Sequence, residues 1–140
     1  MTLNVLDLFC GAGGFSFGFS RAGFNSVAGI DIDEDALTTY RHNLDSYGYC
    51  LNLGEHEAHD VLDLLEISTD DVDVIIGGPP CQKFSPMASE DDPDALRSLL
   101  QTFLNYVEEI EPRAFVMENV KGLPTRYREY LNAVLDRSDD

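Results

Sequence analysis

Cys81 is the residue with the most chemistry to offer. It follows Gly77-Gly78-Pro79-Pro80 and precedes Gln82, so two glycines and two prolines after an apolar run fix a rigid loop that presents one thiol. A free cysteine inside a core is a small hydrophobe. One carried on a loop after two prolines stands where a nucleophile belongs, and because an unperturbed thiol is only a few per cent thiolate at neutral pH, its surroundings must activate it. Three further groups accompany it. The turn Gly11-Ala12-Gly13-Gly14 follows one apolar run and opens a helical pattern, so its bare backbone lets a ligand approach closely, although such turns also serve as plain connections. Asp31 ends the next apolar run, 18 residues after Gly13, where a carboxylate takes two ribose hydroxyls. That acid and the spacing of one βαβ unit point to a nucleoside-bearing cofactor, while Ser16, where the last glycine of a dinucleotide fingerprint would fall, argues against a pyrophosphate. Glu118 and Asn119 set a carboxylate and an amide together at the end of Phe115-Val116-Met117.

The elements that must position these groups alternate. Residues 3–9 form an apolar run expected to be a strand, and Phe15, Phe19 and Ala22 recur at helical spacing after the glycine turn. Residues 26–30 predict a second strand ending at Asp31, after which Asp33 caps a helix carrying Ala36, Leu37, Tyr40 and Leu44. Residues 47–53 show no clear pattern, residues 58–65 are assigned a short third strand, and residues 72–76 form a strong fourth one. A long loop over residues 77–94 leads to Pro93, from which Leu96, Leu99, Leu100, Phe103, Leu104 and Val107 trace a helix stripe ended by Pro112. Residues 114–117 predict a fifth strand, and residues 126–135 a last helix. Strands alternating with helices give an α/β fold with a parallel sheet covered on both faces. Parallel strands share one C-terminal edge, so Gly13, Asp31, Cys81 and Glu118 are expected to meet in one crevice.

Composition narrows the classes. The chain has 140 residues, 44% of them apolar and 10% aromatic, which suits one packed domain and makes a disordered acidic chain a poor fit. No stretch approaches the roughly 20 apolar residues of a membrane span. Asp7 interrupts the first apolar run, so no secretory signal is expected. Cys10, Cys50 and Cys81 are widely spaced and odd in number, against a disulfide framework or a metal site and for a reducing cytoplasm. Twenty-six acidic residues against nine basic ones give a net charge of −17, a solvated surface of halophilic type that opposes contact with nucleic acid at low salt.

The chain resembles the N-terminal catalytic part of a cytosine-C5 DNA methyltransferase. The residues that carry the resemblance are Asp7-Leu8-Phe9-Cys10-Gly11-Ala12-Gly13-Gly14-Phe15, then Pro80-Cys81-Gln82, then Glu118-Asn119-Val120-Lys121, in the order and at the spacings usual for that family. The resemblance implies a Rossmann-like fold dependent on S-adenosylmethionine. Phe9 would lie near the adenine, Gly11 and Gly13 under the methionine, and Asp31 on the ribose. Ile32 matches the residue packed on the adenine face, Asp60 the acid reading the adenine amino group, and Pro80 and Leu100 further cofactor contacts. Cys81 would attack C6 of cytosine, and a protonated Glu118, its pKa raised, would hydrogen-bond ring N3. The target base must leave the helix stack, and Gln82, Ser85 and Asn119 would help hold the strand or the active-site loop.

Departures from the family pattern define the remaining expectations. Lys83 stands where a small residue commonly follows the Cys-Gln pair; it would contact a phosphate or serve as a solvated charge. Residues 1–140 are expected to form only the N-terminal part of the catalytic domain, without the arginine-bearing motif, the target-recognition domain and the C-terminal strands. The partners expected are DNA and a complementary C-terminal half or target-recognition subunit, with no membrane and no metal. Two other readings stay open on the sequence: an inactive cofactor-binding or regulatory remnant, and an RNA cytosine-C5 methyltransferase.

Overall fold

The computed structural model describes residues 1–80, 93–118 and 132, with the side chains of 93–98 left aside. Five strands form one parallel sheet: β1 (Asn4–Leu8), β2 (Asn25–Asp31), β3 (Tyr47–Cys50), β4 (Val74–Gly77) and β5 (Ala114–Met117), in the spatial order β3-β2-β1-β4-β5. The helices are α1 (Gly14–Arg21), α2 (Glu34–Asn43), α3 (Ala58–Leu64) and α4 (Pro93–Ile110).

Residue alternation along the strands explains the two layers. Leu6 and Leu8 of β1, Ile30 of β2 and Ile75 of β4 face the core shared with Val61 and Leu62 of α3 and Leu100, Phe103 and Leu104 of α4. Val5, Val74 and Ile76 face Phe15 and Phe19 of α1 and Phe24 after it, where Phe19 and Phe24 stack edge to face at 5.0 Å. Fully burying a Leu or Ile side chain is worth roughly 1.5–3 kcal/mol, so both layers are held by side chains of β1 and β4. Asp33 caps α2 as expected, its side chain accepting the amides of Asp35 and Ala36.

The third strand corrects the sequence assignment. Residues 58–65 are not a strand: Ala58, Val61 and Leu62 are buried on α3, and with Leu65 they repeat at positions 1, 4, 5 and 8, the spacing of a helix face. The strand is Tyr47–Cys50, paired with β2. Gly48 lets it lie close to α2, since a Cβ there would stand 3.1 Å from the Tyr40 ring and 3.2 Å from Leu37. The expected last helix over residues 126–135 lies outside the described residues, Asn132 excepted, which is helical.

The chain leaves β1 for β2 in one direction and reaches β4 on the other side of β1. The crevice at this switch of direction, outside the C-terminal ends of β1 and β4, is where open α/β sheets bind ligands. Among the described residues, β5 is the edge strand beyond β4.

Candidate active site

The turn after β1 is built from strained backbone. Phe9, Gly11 and Gly13 all have positive φ, at 58°, 53° and 94°, a region that costs L side chains energy and that glycine enters freely. Cys10 donates its amide to Ile30 O at 3.0 Å and Gly13 donates to Cys10 O at 3.0 Å, so the turn is pinned to β2 and closed on itself. Gly13 is also required by packing: a Cβ there would stand 2.6 Å from Leu44 Cδ1 and 2.7 Å from Tyr40 Cδ2. Around Gly11 the opposite holds, because nothing lies within 4 Å of the point a Cβ would occupy. The turn is packed beneath and open above.

Asp31, half-buried at the end of β2, joins this turn. Its Oδ2 accepts the Gly11 amide at 2.8 Å and its Oδ1 accepts the Asp33 amide at 2.9 Å. Ile32 follows it, 53% exposed. Pro80 is half-buried just beyond β4. Glu118 continues β5, donating its amide to Gly77 O at 2.9 Å; its exposed carboxylate lies beside Gly78, with Oε2 3.3 Å from where a Cβ on Gly78 would stand. Phe9, Gly11, Gly13, Asp31, Ile32, Pro80 and Glu118 therefore share one edge of the sheet.

The two further expected cofactor contacts lie on helices, Leu100 in the core cluster against which Phe9 packs. Asp60 is exposed in the first turn of α3. Leu100 is 3% exposed inside the core beneath α4. Cys81, Gln82, Lys83, Ser85 and Asn119 lie outside the described residues. Of the two remaining cysteines, Cys10 is buried, and burial together with the nearby Asp7 and Asp31 carboxylates pushes its thiol far above the ordinary range. Cys10 is thus a packing residue and no rival nucleophile. Among the described residues no group of three or more His, Cys, Asp or Glu side chains is arranged to hold a metal ion, and no helix is long and apolar enough to cross a membrane.

The family model for C-5 cytosine-specific DNA methylases matches residues 3–139. The chain belongs to this family. Its similarity to curated members is spread over nearly the whole sequence: it is 40% identical over 140 residues to the Type II methyltransferase M.DdeI of Desulfomicrobium norvegicum, covering 95% of this chain and 32% of that protein. It is 38% identical over 122 residues to M.AgeI of Thalassovita gelatinovora, covering 86% of this chain and 28% of that one. The chain thus spans about a third of the length of these relatives. M.HgiGI of Herpetosiphon aurantiacus is 39% identical over 119 residues, covering 85% of this chain and 91% of the relative. A prophage-encoded DNA modification methyltransferase of E. coli superposes with a TM-score of 0.79 at 34% identity, over 96% of this chain and 37% of that one. The Dnmt2 methyltransferase of S. pombe, at 23% identity and a TM-score of 0.72 over 98% of this chain and 41% of its own, shares the fold.

Within this family site, two polar residues escaped the sequence reading. Asp7 and Ser16 are both buried, and Ser16 donates its hydroxyl to Asp7 Oδ2 at 2.7 Å and its amide to the same oxygen at 3.3 Å. Their signals were present: an acid in the middle of an otherwise apolar buried strand, and a serine where the fingerprint has glycine. Asp7 opens the motif that carries the family resemblance and Ser16 speaks against a pyrophosphate, but neither signal pairs the two residues.

Proposed function

We propose that residues 1–140 form the cofactor-binding and nucleophile-bearing part of a catalytic domain that methylates C5 of cytosine in DNA. The observation that carries this reading is the meeting of the glycine turn, Asp31 and Glu118 at the β1/β4 switch point. The residues fit S-adenosylmethionine. The open space over Gly11 admits a ligand against bare backbone, Asp31 presents a carboxylate at ribose height, and Ile32 exposes an apolar side chain beside it. Phe9, Gly13 and Pro80 border the same crevice, and Asp60 on α3 and Leu100 on α4, the latter in the cluster that Phe9 packs against, complete the proposed cofactor contacts. When bound, the cofactor supplies a methyl group on a sulfonium.

The chain's own groups supply the rest. Cytosine C5 is a poor nucleophile until a group adds at C6, so the Cys81 thiolate forms an S–C6 bond and pushes electron density to C5. Protonated Glu118 hydrogen-bonds ring N3 and stabilises the enamine that results. Once C5 carries the methyl group and the cofactor's neutral thioether has left, loss of the C5 proton to a base would let the S–C6 bond break and return the Cys81 thiolate. Gln82, Ser85 and Asn119 hold the loop and the flipped base. A net charge of −17 opposes approach to DNA, and a complementary C-terminal half or target-recognition subunit would supply the surface that brings the base to the site.

The test is covalent trapping on a 5-fluorocytosine DNA duplex, where the C5 fluorine blocks the final elimination. The chain alone should trap little; with a C-terminal half supplied from a relative it should trap, and Cys81→Ser should abolish the adduct. Trapping that survives Cys81→Ser removes Cys81 as nucleophile, and efficient trapping by the chain alone removes the need for a partner. An RNA oligonucleotide trapped in preference to DNA overturns the substrate assignment.

A further inference from the structure

Asp7 is an acid that this reaction does not use. It sits in mid-strand on β1 with 1% exposure, on the face covered by α1. Its Oδ2 accepts both Ser16 donors, while Oδ1 is buried and has no hydrogen-bond partner among the described residues. From Ser16 the polar contacts continue. The Ser16 hydroxyl lies 3.2 Å from Tyr40 Oη, which lies 3.0 Å from Ser46 Oγ and 3.2 Å from Ser26 Oγ. Ser26 and Ser46 are 3.1 Å apart and line an open cavity of about 260 Å³ where β2 begins, at the edge of the sheet opposite the glycine turn. Tyr40 closes the circuit, since its fully buried ring is also what packs beneath Gly13.

An isolated acid in an apolar layer is costly, and one held only for packing would be better replaced by a hydrophobe. The contacts of this one run through Ser16 to Tyr40, whose ring packs beneath the turn that the proposed cofactor must use and whose hydroxyl continues to Ser26 and Ser46. We propose that Asp7 is a positioning residue for the cofactor-binding turn, fixing the first turn of α1 through Ser16 and, through the Ser16 and Tyr40 hydroxyls, the backbone around Gly13. This rests on reading that edge as the cofactor site. Burial pushes the Asp7 carboxyl up to about 7, with the Asp31 carboxylate adding a smaller push and the two Ser16 bonds opposing it. The titratable groups around it are Asp31 at the end of β2, the Cys10 thiol of the turn and Tyr40 of α2; β4 turns Val74 and Ile76 to the same layer and α1 brings Ser16 and the aromatic rings. Asp7 therefore changes charge in the neutral range. Ionised, it receives charge-assisted bonds from Ser16, roughly twice as strong as neutral ones, and holds the turn more firmly, while burying that charge lowers the stability of the fold as a whole.

The experiment is calorimetric titration of the 140-residue chain with S-adenosylhomocysteine in molar KCl at pH 6 and pH 8.5. Amide hydrogen exchange of residues 11–16 without ligand accompanies it, corrected for the intrinsic rate. Wild type should bind about fivefold tighter at pH 8.5 than at pH 6, a change the size of one strengthened hydrogen bond. Asp7→Asn should bind with no such dependence, and Ser16→Ala should bind about tenfold more weakly at pH 8.5 and exchange faster over residues 13–16. Equal pH dependence in wild type and Asp7→Asn, both folded by circular dichroism, overturns the proposal. Should Asp7→Asn not fold, unchanged affinity and exchange in Ser16→Ala overturns it instead. If wild type binds nothing at either pH, the cofactor reading fails, and exchange protection in wild type against Ser16→Ala still decides whether Asp7 and Ser16 fix the turn.

Discussion

The amide of Gly11 donates to Asp31 Oδ2 at 2.8 Å, so the carboxylate at the end of β2 is already engaged with the turn at the end of β1. A residue expected only to meet the ribose is also part of the frame that shapes the glycine turn. Each carboxylate oxygen has room for a further donor, so both roles are compatible. The second bond, from the Asp33 amide to Oδ1, fixes the rotation of the group. Asp33 in turn caps α2, which places Tyr40 under Gly13. The turn, β2 and α2 thus constrain one another through a single carboxylate.

Asp31→Ala should therefore do more than remove a ligand contact. Two backbone donors lose their acceptor, at about 1–3 kcal/mol for each one left unsatisfied, partly offset by water because the site is half-buried. Urea unfolding should show that loss, and S-adenosylmethionine titration should show no measurable binding. Asp31→Asn keeps one acceptor oxygen and should fall between. An Ala variant with wild-type affinity would separate Asp31 from the cofactor altogether.

The legible parts of this fold are those where one signal dominates. Four of the five strands and the capped α2 stand where they are expected, because buried parallel strands read as largely apolar runs, Asp7 in β1 notwithstanding, and Asp33 is an unambiguous cap. The segment Tyr47-Gly48-Tyr49-Cys50 is short, and its strand pairing depends on Gly48 lying against α2, a tertiary fact with no local signature. Residues 58–65 carry an apolar pattern that fits helix and strand alike over so short a window. At the site, the edge that gathers Gly11, Asp31 and Glu118 followed from parallel topology alone. The Asp7 to Ser46 chain did not, since hydroxyl contacts between residues 7, 16, 26, 40 and 46 leave no spacing rule in the sequence.

The raised Asp7 carboxyl makes stability depend on pH. Its pKa is about 7 in the folded chain against 3.8 for the free group, so between those values the folded state binds the extra proton. Stability from this group is full below pH 4, falls as pH rises, and levels off above pH 7, a span of about 4 kcal/mol as an upper bound. Asp7→Asn removes the titration. The wild-type minus variant difference in unfolding free energy, followed by urea melts from pH 4 to pH 8.5, should decline steadily and then flatten; a difference that grows with pH would mean the carboxyl is depressed instead of raised.

Gly77 ends β4 where it meets β1 and α4. A Cβ there would run into the Leu8 carbonyl oxygen and stand 2.8 Å from the Phe103 ring. The backbone oxygen cannot move without breaking the β1–β4 pairing. Gly77→Ala should cost about 2–4 kcal/mol, comparable with overpacking a core. Gly14→Ala, with nothing within 4 Å of the new Cβ, should be neutral or slightly stabilising because it sits in a helix. Thermal melts of both variants compare a blocked position with an open one, and equal melting temperatures would mean β4 can shift to accommodate the methyl.

Salt should act on this chain in two opposed ways, both traceable to its surface. Twenty-six acidic residues against nine basic ones repel at low ionic strength. At 1 M salt the Debye length falls to about 3 Å, which removes most of that repulsion and favours the folded sheet. The same screening removes the barrier between copies. Among the described residues β5 pairs only with β4, and Val116 on one face of it is 43% exposed; a β5 edge left unpaired would recruit another chain. Circular dichroism should report more secondary structure from 0.1 M to 3 M KCl, while light scattering reports a rising mass. Val116→Lys should suppress the second effect and leave the first, since a charge on an edge strand opposes strand addition without touching the core. A chain already fully folded at 0.1 M KCl and monomeric across the whole range would show that the acidic surface and the β5 edge are each tolerated without salt or partner.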